Sequence, residues 1–139
     1  MALSDCNQPM PHDDVYTRIG VSTLDSAPYG LGVFAIRHIK KGTNPFMHID
    51  STIVWVKDEE VQKLSEEVKK LYEVYGVLKG GYWGVPPNFN QLKPIWFLNN
   101  SENPNMRCDI EKGYLFFAMR NIYPGEELTA EWSTYSEDY

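Results

Sequence analysis

The chain has 139 residues, which is enough for one domain with a hydrophobic core. Hydrophobic residues make up 42% of it and aromatic residues 14%, and this composition argues against disorder. The net charge of −6 argues against non-specific binding to nucleic acid and suits a cationic partner such as a lysine-rich peptide, although ordinary solubility is the simpler explanation.

Short strands are predicted through the first third of the chain. Residues 1–14 are polar, contain two prolines and are expected to form a flexible lead-in to a single domain at 15–139. The predicted strands, which are rich in β-branched and aromatic residues, are 15–21, 32–36 and 51–56, with turns at 25–30 and 38–43.

One helix is predicted after the third strand. Asp58 is its expected N-cap, and Glu59 and Glu60 suit its first turn. Gly76 ends the pattern. The apolar residues that share one face are Val61, Leu64, Val68, Leu71, Tyr72 and Tyr75. We interpret this helix as scaffold.

Strands and turns fill the rest of the chain. The sequence predicts an irregular aromatic loop at 80–87, a short strand at 95–98, a hairpin of 106–110 with 114–120 around 111–113, and a turn at 123–127. The fold class is therefore mainly β with one helix.

An asparagine-rich run at 97–105 stands out. It contains four asparagines and Pro104, directly after an apolar segment. Asparagine carries a donor and an acceptor on a short side chain and favours turns. Taken alone, the run is better explained as a surface turn than as a ligand site.

Cysteine and histidine spacing suggests neither a disulfide nor a metal site. Cys6 and Cys108 lie far apart without a CxxC pair, and the three histidines have no metal-ligand spacing. No apolar run is long enough to span a membrane, and no signal-peptide core is evident. We expect an intracellular protein that associates with no membrane.

Three segments occur in an order that resembles a SET domain. They are GLGVFA at 30–35 followed by IKKGT at 39–43, FLNNSENPN at 97–105, and FFAMRNI at 116–122 followed by GEELT at 125–129. A Gly-x-Gly alone is a weak signal, but the ordered set covers most of residues 29–135. The chain is similar to compact bacterial or viral SET proteins without cysteine-rich flanking modules.

The resemblance implies a fold and a chemistry. It implies curved β-sheets with a C-terminal segment that threads, pseudoknot-like, beneath a loop formed by the preceding strand. It also implies methyl transfer from S-adenosylmethionine to a lysine amine, with a basic protein or peptide as substrate. In such chemistry a neutral amine must meet the methyl donor in line, in a narrow and dry channel.

The same resemblance assigns site residues by position. Gly30, Leu31 and Gly32 would offer backbone groups to the methionine part of the cofactor, since glycine permits close approach. Asn99 and Asn100 would contact its adenine and amino-acid ends. The candidate walls of the pocket and the lysine channel are Tyr82, Trp83, Phe97 and Phe117.

Three departures from the family pattern fall on or near this site. The usual Asn-His-Ser-Cys turn reads Asn-Asn-Ser-Glu at 99–102. Trp132 takes the position of the catalytic tyrosine, and indole offers one N–H donor without an acceptor lone pair. Tyr135 is the candidate substitute hydroxyl. The tyrosine usual after the Lys-Gly-Thr strand is missing, with His48 near its place.

Functions from different classes remain open. The first is a SET-type protein-lysine methyltransferase. It is favoured because the cofactor-side motifs match the family pattern better than the position of the catalytic tyrosine does. The second is a catalytically weak or inactive SET module that binds cofactor or a cationic peptide, and the third is a structural β-domain with a vestigial site. The sequence leaves open the substrate, the methylation state and whether the chain forms a homodimer.

Overall fold

Nine short strands and two α-helices lie in residues 8–47 and 52–138, which the computed structural model describes. The strands are β1 Thr17–Val21, β2 Leu31–Ala35, β3 Val54–Lys57, β4 Val77–Lys79, β5 Tyr82–Val85, β6 Asn99–Asn100, β7 Met106–Asp109, β8 Leu115–Ala118 and β9 Glu127–Ala130. The helices are α1 Asp58–Val61 and α2 Glu66–Tyr75. The mainly β class is confirmed. The predictions for residues 1–7, which include Cys6, and for residues 48–51, which include His48, lie outside the described residues.

The main sheet joins the beginning of the chain to its end. Its strand order is β1-β2-β9-β6, in which β2 is antiparallel to both β1 and β9, and β6 is parallel to β9. Asn99 lies opposite Thr129, and Asn100 lies opposite Ala130. The C-terminal strand therefore lies between an N-terminal hairpin and the asparagine-rich run. Its threading beneath a loop stays a prediction.

The predicted aromatic loop at 80–87 is wrong, because its middle four residues form strand β5. Strands β4 and β5 form a hairpin in which Lys79 lies opposite Tyr82. Gly80 and Gly81 make the two-residue turn with φ of 58° and 81°. Two positive φ values are what a type I′ turn requires, and glycine adopts them at low cost. Strand β3 pairs with β5 to complete a three-stranded sheet.

The single predicted helix is also wrong, since the segment divides into α1 and α2. The hydroxyl of Ser65 accepts the backbone N–H of Val68 and caps a new helix inside the apolar pattern. Asp58 lies in the first turn of α1 and Lys57 is the N-cap. Gly76 follows α2 as expected. The predicted strand at 95–98 is a 3₁₀ turn, Pro94–Phe97, because proline favours the start of a helical turn over a strand.

The predicted hairpin of β7 and β8 is confirmed, and it packs on the main sheet. The core buries Val33, Ala35, Ile39, Phe46, Leu98, Met106, Phe116, Ala118, Ile122, Leu128, Ala130 and Tyr135. A second, smaller cluster of Val61, Trp83 and Val85 lies under the helices. Within the described ranges, neither helix is long and apolar enough to cross a membrane.

We expect Asn105 to be a main stabiliser of this arrangement, because it fastens the hairpin to β9. Its side-chain amide donates to the Glu127 carbonyl and accepts the Thr129 N–H, each at 2.8 Å. The change Asn105→Ala leaves two buried backbone groups unpaired, at about 1–3 kcal/mol each. Urea denaturation should show the free energy of unfolding falling by about 2–4 kcal/mol.

The exposed Asn103 supplies the matched control. Its backbone N–H donates to the Ser101 hydroxyl oxygen, and Asn103→Ala leaves that hydrogen bond in place. The substitution should change the free energy of unfolding by less than about 0.5 kcal/mol. Equal effects of the two substitutions would contradict the role assigned to Asn105.

Candidate functional site

The described residues line an aromatic cavity that is partly open to solvent, and its space, with the open part included, is about 780 Å³. It lies between the end of α2, the 3₁₀ turn Pro94–Phe97, the β7–β8 hairpin and the C-terminal segment. Among the described residues that line it, none carries a charge. Seven are aromatic, namely Trp55, Tyr75, Trp96, Tyr114, Phe116, Trp132 and Tyr135. We call this space the acceptor cavity.

A smaller cavity adjoins it, with a space of about 230 Å³ that also includes the part open to solvent, and we call this the motif cavity. Its own lining includes Leu31, Phe97 and Asn99, which come from two of the three motif segments. The two cavities share a wall. The shared residues are Val74, Tyr75, Trp96, Leu98 and Trp132.

The structure brings together part of the set that the sequence proposed. Leu31, Asn99, Phe97 and Trp132 all line the motif cavity. Tyr135 lines the acceptor cavity, where it is 7% exposed and meets the Phe116 ring edge-on at 5.4 Å. Both members of the proposed catalytic pair line the acceptor cavity, and Trp132 alone also lines the motif cavity.

Three of the proposed channel residues line neither cavity among the described parts of the chain. Trp83 lies in the small core cluster, and its indole N–H donates to Asp58 at 2.9 Å. Tyr82 is 40% exposed at the β4–β5 turn. Phe117 lies beneath the cationic groups of Arg107 and Lys112. Side chains alternate along a strand, so Phe116 faces the cavity and its neighbour does not.

Asn99 is buried and belongs to a partly buried hydrogen-bond network that the sequence analysis missed. Its amide nitrogen donates to the Leu31 carbonyl at 2.9 Å and to a Glu127 carboxylate oxygen at 2.8 Å. The hydroxyl of Ser22 donates to the other Glu127 oxygen at 2.7 Å. The signal in the sequence was a carboxylate at the start of a strand with buried residues, and such a group needs donors.

Asn100 fixes two segments around the cavities. Its side-chain oxygen accepts the backbone N–H of Trp132 at 2.8 Å. Its backbone carbonyl accepts the hydroxyl of Ser26 at 2.9 Å. The side chain therefore positions the C-terminal segment, and the backbone positions the loop before Gly30.

The two motif glycines are needed for different reasons. Gly30 has φ of +72°, and nothing lies within 4 Å of where a Cβ would stand. A Cβ on Gly32 would collide with the Glu127 carboxylate and lie 2.9 Å from the Asn99 amide nitrogen. Gly32 thus lets the side chains of Glu127 and Asn99 approach β2, and Gly30 leaves open space beside the loop.

Trp132 is fixed at the shared wall by its own indole. The indole N–H donates to the Leu98 carbonyl at 2.9 Å. This hydrogen bond uses the single donor that the ring possesses. The ring therefore separates the cavities without a donor left for a ligand.

Burial raises the pKa of two phenols that line the acceptor cavity and of one thiol close to Tyr114. It raises the pKa of Tyr75, with a smaller contribution from Tyr29, and it raises the pKa of Tyr114. Burial also raises the pKa of Cys108 to about 12. Within residues 8–47 and 52–138, no three metal-binding side chains cluster. The site offers aromatic faces and neutral hydroxyls, which suit an organic cation or an amine.

Comparison with known proteins identifies a family. The family model described as SET domain matches residues 30–133. A Plasmodium falciparum protein provisionally described as a histone methyltransferase has a similar structure, with 22% identity, a TM-score of 0.51, and coverage of 84% of this chain and 91% of that one. The Chaetomium thermophilum Polycomb Repressive Complex 2 contains a chain with 18% identity and a TM-score of 0.57, covering 88% of this chain and 16% of that one. At these identities the likeness concerns the fold. No curated protein matches the sequence.

We expect Gly32 and Glu127 to be energetically coupled, because a Cβ at residue 32 would enter the space of the carboxylate. Gly32→Ala should lower the free energy of unfolding by about 1–3 kcal/mol through overpacking. The cost should shrink by about 1 kcal/mol in a Glu127→Ala background, where the carboxylate is gone. A double-mutant cycle in urea measures this coupling.

The neighbouring Glu126, which pairs with Arg120 at 2.8 Å, provides the control cycle. Gly32→Ala and Glu126→Ala should be additive. An additive result for the Glu127 cycle would show that contact with this carboxylate does not cause the loss of stability in Gly32→Ala.

Proposed function

Because this chain belongs to the SET-domain family, we propose that it transfers a methyl group from S-adenosylmethionine to the amine of a lysine in a protein. The resemblance found in the sequence is confirmed by the family match, and family and fold support methyl transfer in general. One observation carries the finer proposal. An uncharged aromatic cavity adjoins a second cavity lined by the family motifs, and the two share one wall.

The motif cavity fits the chemistry of the proposed cofactor. Aromatic faces attract a sulfonium cation, and Trp96, Phe97 and Trp132 all line this cavity. When bound, the cofactor supplies an electrophilic methyl group. The residues that would hold it are Gly30, Leu31, Gly32, Asn99 and Asn100.

The hydrogen bonds that Asn99 and Asn100 already form limit which of their atoms would bind the cofactor. The side-chain nitrogen of Asn99 already donates to Leu31 and Glu127. The side-chain oxygen of Asn100 already accepts from Trp132. Their contribution to the cofactor would come from backbone groups and from the remaining side-chain atoms.

The acceptor cavity suits the stem and head of a lysine side chain. Its aliphatic and aromatic walls match the apolar stem, and an uncharged lining disfavours the ammonium form. A lysine that enters would therefore lose its proton more readily than in water. The net charge of −6 would attract a basic protein or peptide.

An alternative function is favoured by the hydrogen bond of Trp132. Its N–H is donated to Leu98, and the indole has no acceptor with which to orient an amine. A catalytically weak or inactive SET module that binds cofactor or a cationic peptide would show this feature. The enzyme proposal requires an oriented hydroxyl from another residue.

Further parts of the proposal rest on the sequence alone. Residues 15–139 would form a single SET domain after a flexible lead-in at 1–14. The protein would act inside the cell on a protein substrate, without binding nucleic acid or membrane directly, and as a monomer or a homodimer.

Purified protein should transfer labelled methyl groups from S-adenosylmethionine to lysine-rich peptides. Matched peptides with arginine in place of lysine should stay unlabelled, because arginine keeps its charge and lacks the nucleophilic amine. Scintillation counting measures the transfer. Calorimetry with S-adenosylhomocysteine measures cofactor binding separately.

The two measurements separate the three functions. Cofactor binding without labelling of any peptide in a broad panel would favour the weak or inactive module. The absence of both heat and labelling would favour a structural domain with a vestigial site.

Trp132→Phe should lower methyl transfer about tenfold or more, because it leaves the Leu98 carbonyl without its donor and frees the ring at the shared wall. Trp83→Phe is the matched control, since it also removes one indole hydrogen bond but lies outside both cavities. Its rate should stay within about twofold of the wild type.

Trp132→Tyr tests the alternative directly. Restoring a phenol at this position should change the rate little if another hydroxyl already orients the amine. A large gain in methyl transfer would instead favour the weak module.

A further inference from the structure

Strand β1 forms one edge of the main sheet, and its outer side is open. Among residues 8–47 and 52–138 it pairs with β2 alone. An open edge presents unpaired backbone N–H and C=O groups, which can pair with a strand of another molecule. We propose that β1 binds β1 of a second copy of this chain, antiparallel and across a two-fold axis. The pairing does not depend on the proposed methyl transfer.

Alternate residues of β1 direct their backbone groups outward. The Tyr16 carbonyl accepts the N–H of the residue after β2 at 2.9 Å, and the Ser22 N–H donates to the carbonyl of the residue before β2 at 2.8 Å. Antiparallel pairs alternate between hydrogen-bonded and non-hydrogen-bonded positions, so the even-numbered residues face β2. The backbone groups of Thr17, Ile19 and Val21 therefore point away from β2. Within the described part of the chain they have no hydrogen-bond partner.

The side chains of β1 leave this edge apolar. Val21 is 79% exposed and Ile19 is 41% exposed, and both lie on one face because side chains alternate along a strand. The charged Arg18 turns inward, with its guanidinium carbon 5.0 Å from the centre of the Phe34 ring. It lies where a Cβ of Gly20 would stand, so the glycine gives it room. Natural proteins protect open edges with charges, proline or bulges, and the described residues of β1 place none of these at the edge.

The sequence of β1 is complementary to itself in one register. Ile19 would lie opposite Ile19 of the second copy, at the two-fold axis, and Thr17 would lie opposite Val21. Each outward pair would exchange two backbone hydrogen bonds. Arg18 would lie opposite Gly20, which has no side chain. A register shifted by two residues would put Arg18 opposite Arg18, and like charges directly opposite are destabilising. This self-complementarity favours a second copy over a strand of a different protein.

The pairing would join two four-stranded sheets through a short contact. A strand of five residues buries less than the roughly 1,200–2,000 Å² of a standard interface. The dimer should therefore depend on protein concentration. Each copy carries a net charge of −6, so salt should strengthen the dimer by screening the repulsion between copies.

Sedimentation equilibrium of the full chain, from about 5 µM to about 1 mM, measures the dimer. The wild type should change from monomer to dimer across this range. Ile19→Lys and Ile19→Glu should each weaken the dimer about tenfold or more, because like charges then face each other at the axis. An equimolar mixture of the two variants should dimerise again, because opposite charges then face each other.

Val68→Lys is the matched control. Val68 is 39% exposed, close to the exposure of Ile19, but it lies on α2. This variant should dimerise as the wild type does. A wild type that stays monomeric at about 1 mM would overturn the inference and leave the edge to a strand of another protein. Unweakened dimers of Ile19→Lys, or a mixture that does not dimerise, would also overturn it.

Amide hydrogen exchange of the wild type tests the register without a substitution. The N–H groups of Ile19 and Val21 should exchange fast in dilute protein and about tenfold more slowly in the dimer. The N–H groups of Arg18 and Gly20, which face β2, should exchange slowly at both concentrations. A dimer in which the outward amides exchange as fast as in the monomer would mean that the copies meet through another surface, and it would overturn the inference.

Discussion

The position of strand β9 between β2 and β6 is the constraint on which the site depends. The strand brings the Glu127 carboxylate to the Ser22 hydroxyl and the Asn99 amide, and the same amide donates to the Leu31 carbonyl, so part-buried hydrogen bonds join three separate segments to β9. A carboxylate that is partly withdrawn from water needs donors, and these donors come from positions far apart in the chain. The pairing of β9 therefore brings the motif segments together.

The asparagine-rich run is best understood through its side-chain bonds to the backbone. Asn99 and Asn105 are almost fully buried, at 1% and 3% exposure, and Asn100 is partly buried. Each connects the run to β2, β9 or the segment after β9. An amide serves here because it offers a donor and an acceptor on a short stem. The surface turn that the composition predicted is thus only part of the run. The asparagines near both ends of the run connect it to other segments of the chain.

The sequence predicted the elements whose signals are local. Strands β1 and β2 and the β7–β8 hairpin follow from β-branched runs and a glycine turn, and the ordered motifs were enough to identify the family. The division at Ser65 was not predicted, because the apolar spacing continued past it while a hydroxyl cap decided the boundary. The side on which Phe116 and Phe117 lie depends on strand register, which tertiary pairing sets.

Because residue 132 is a tryptophan, the C-terminal segment supplies no hydroxyl group at this position of the shared wall. A tyrosine there would bring a hydroxyl on the C-terminal segment, whereas the indole gives its one donor to the Leu98 carbonyl and adds bulk. Of the five described residues that line both cavities, Tyr75 is the one that carries a hydroxyl group, and it is the last residue of α2. The helix that periodicity marks as scaffold on one face thus ends in a residue that lines both cavities.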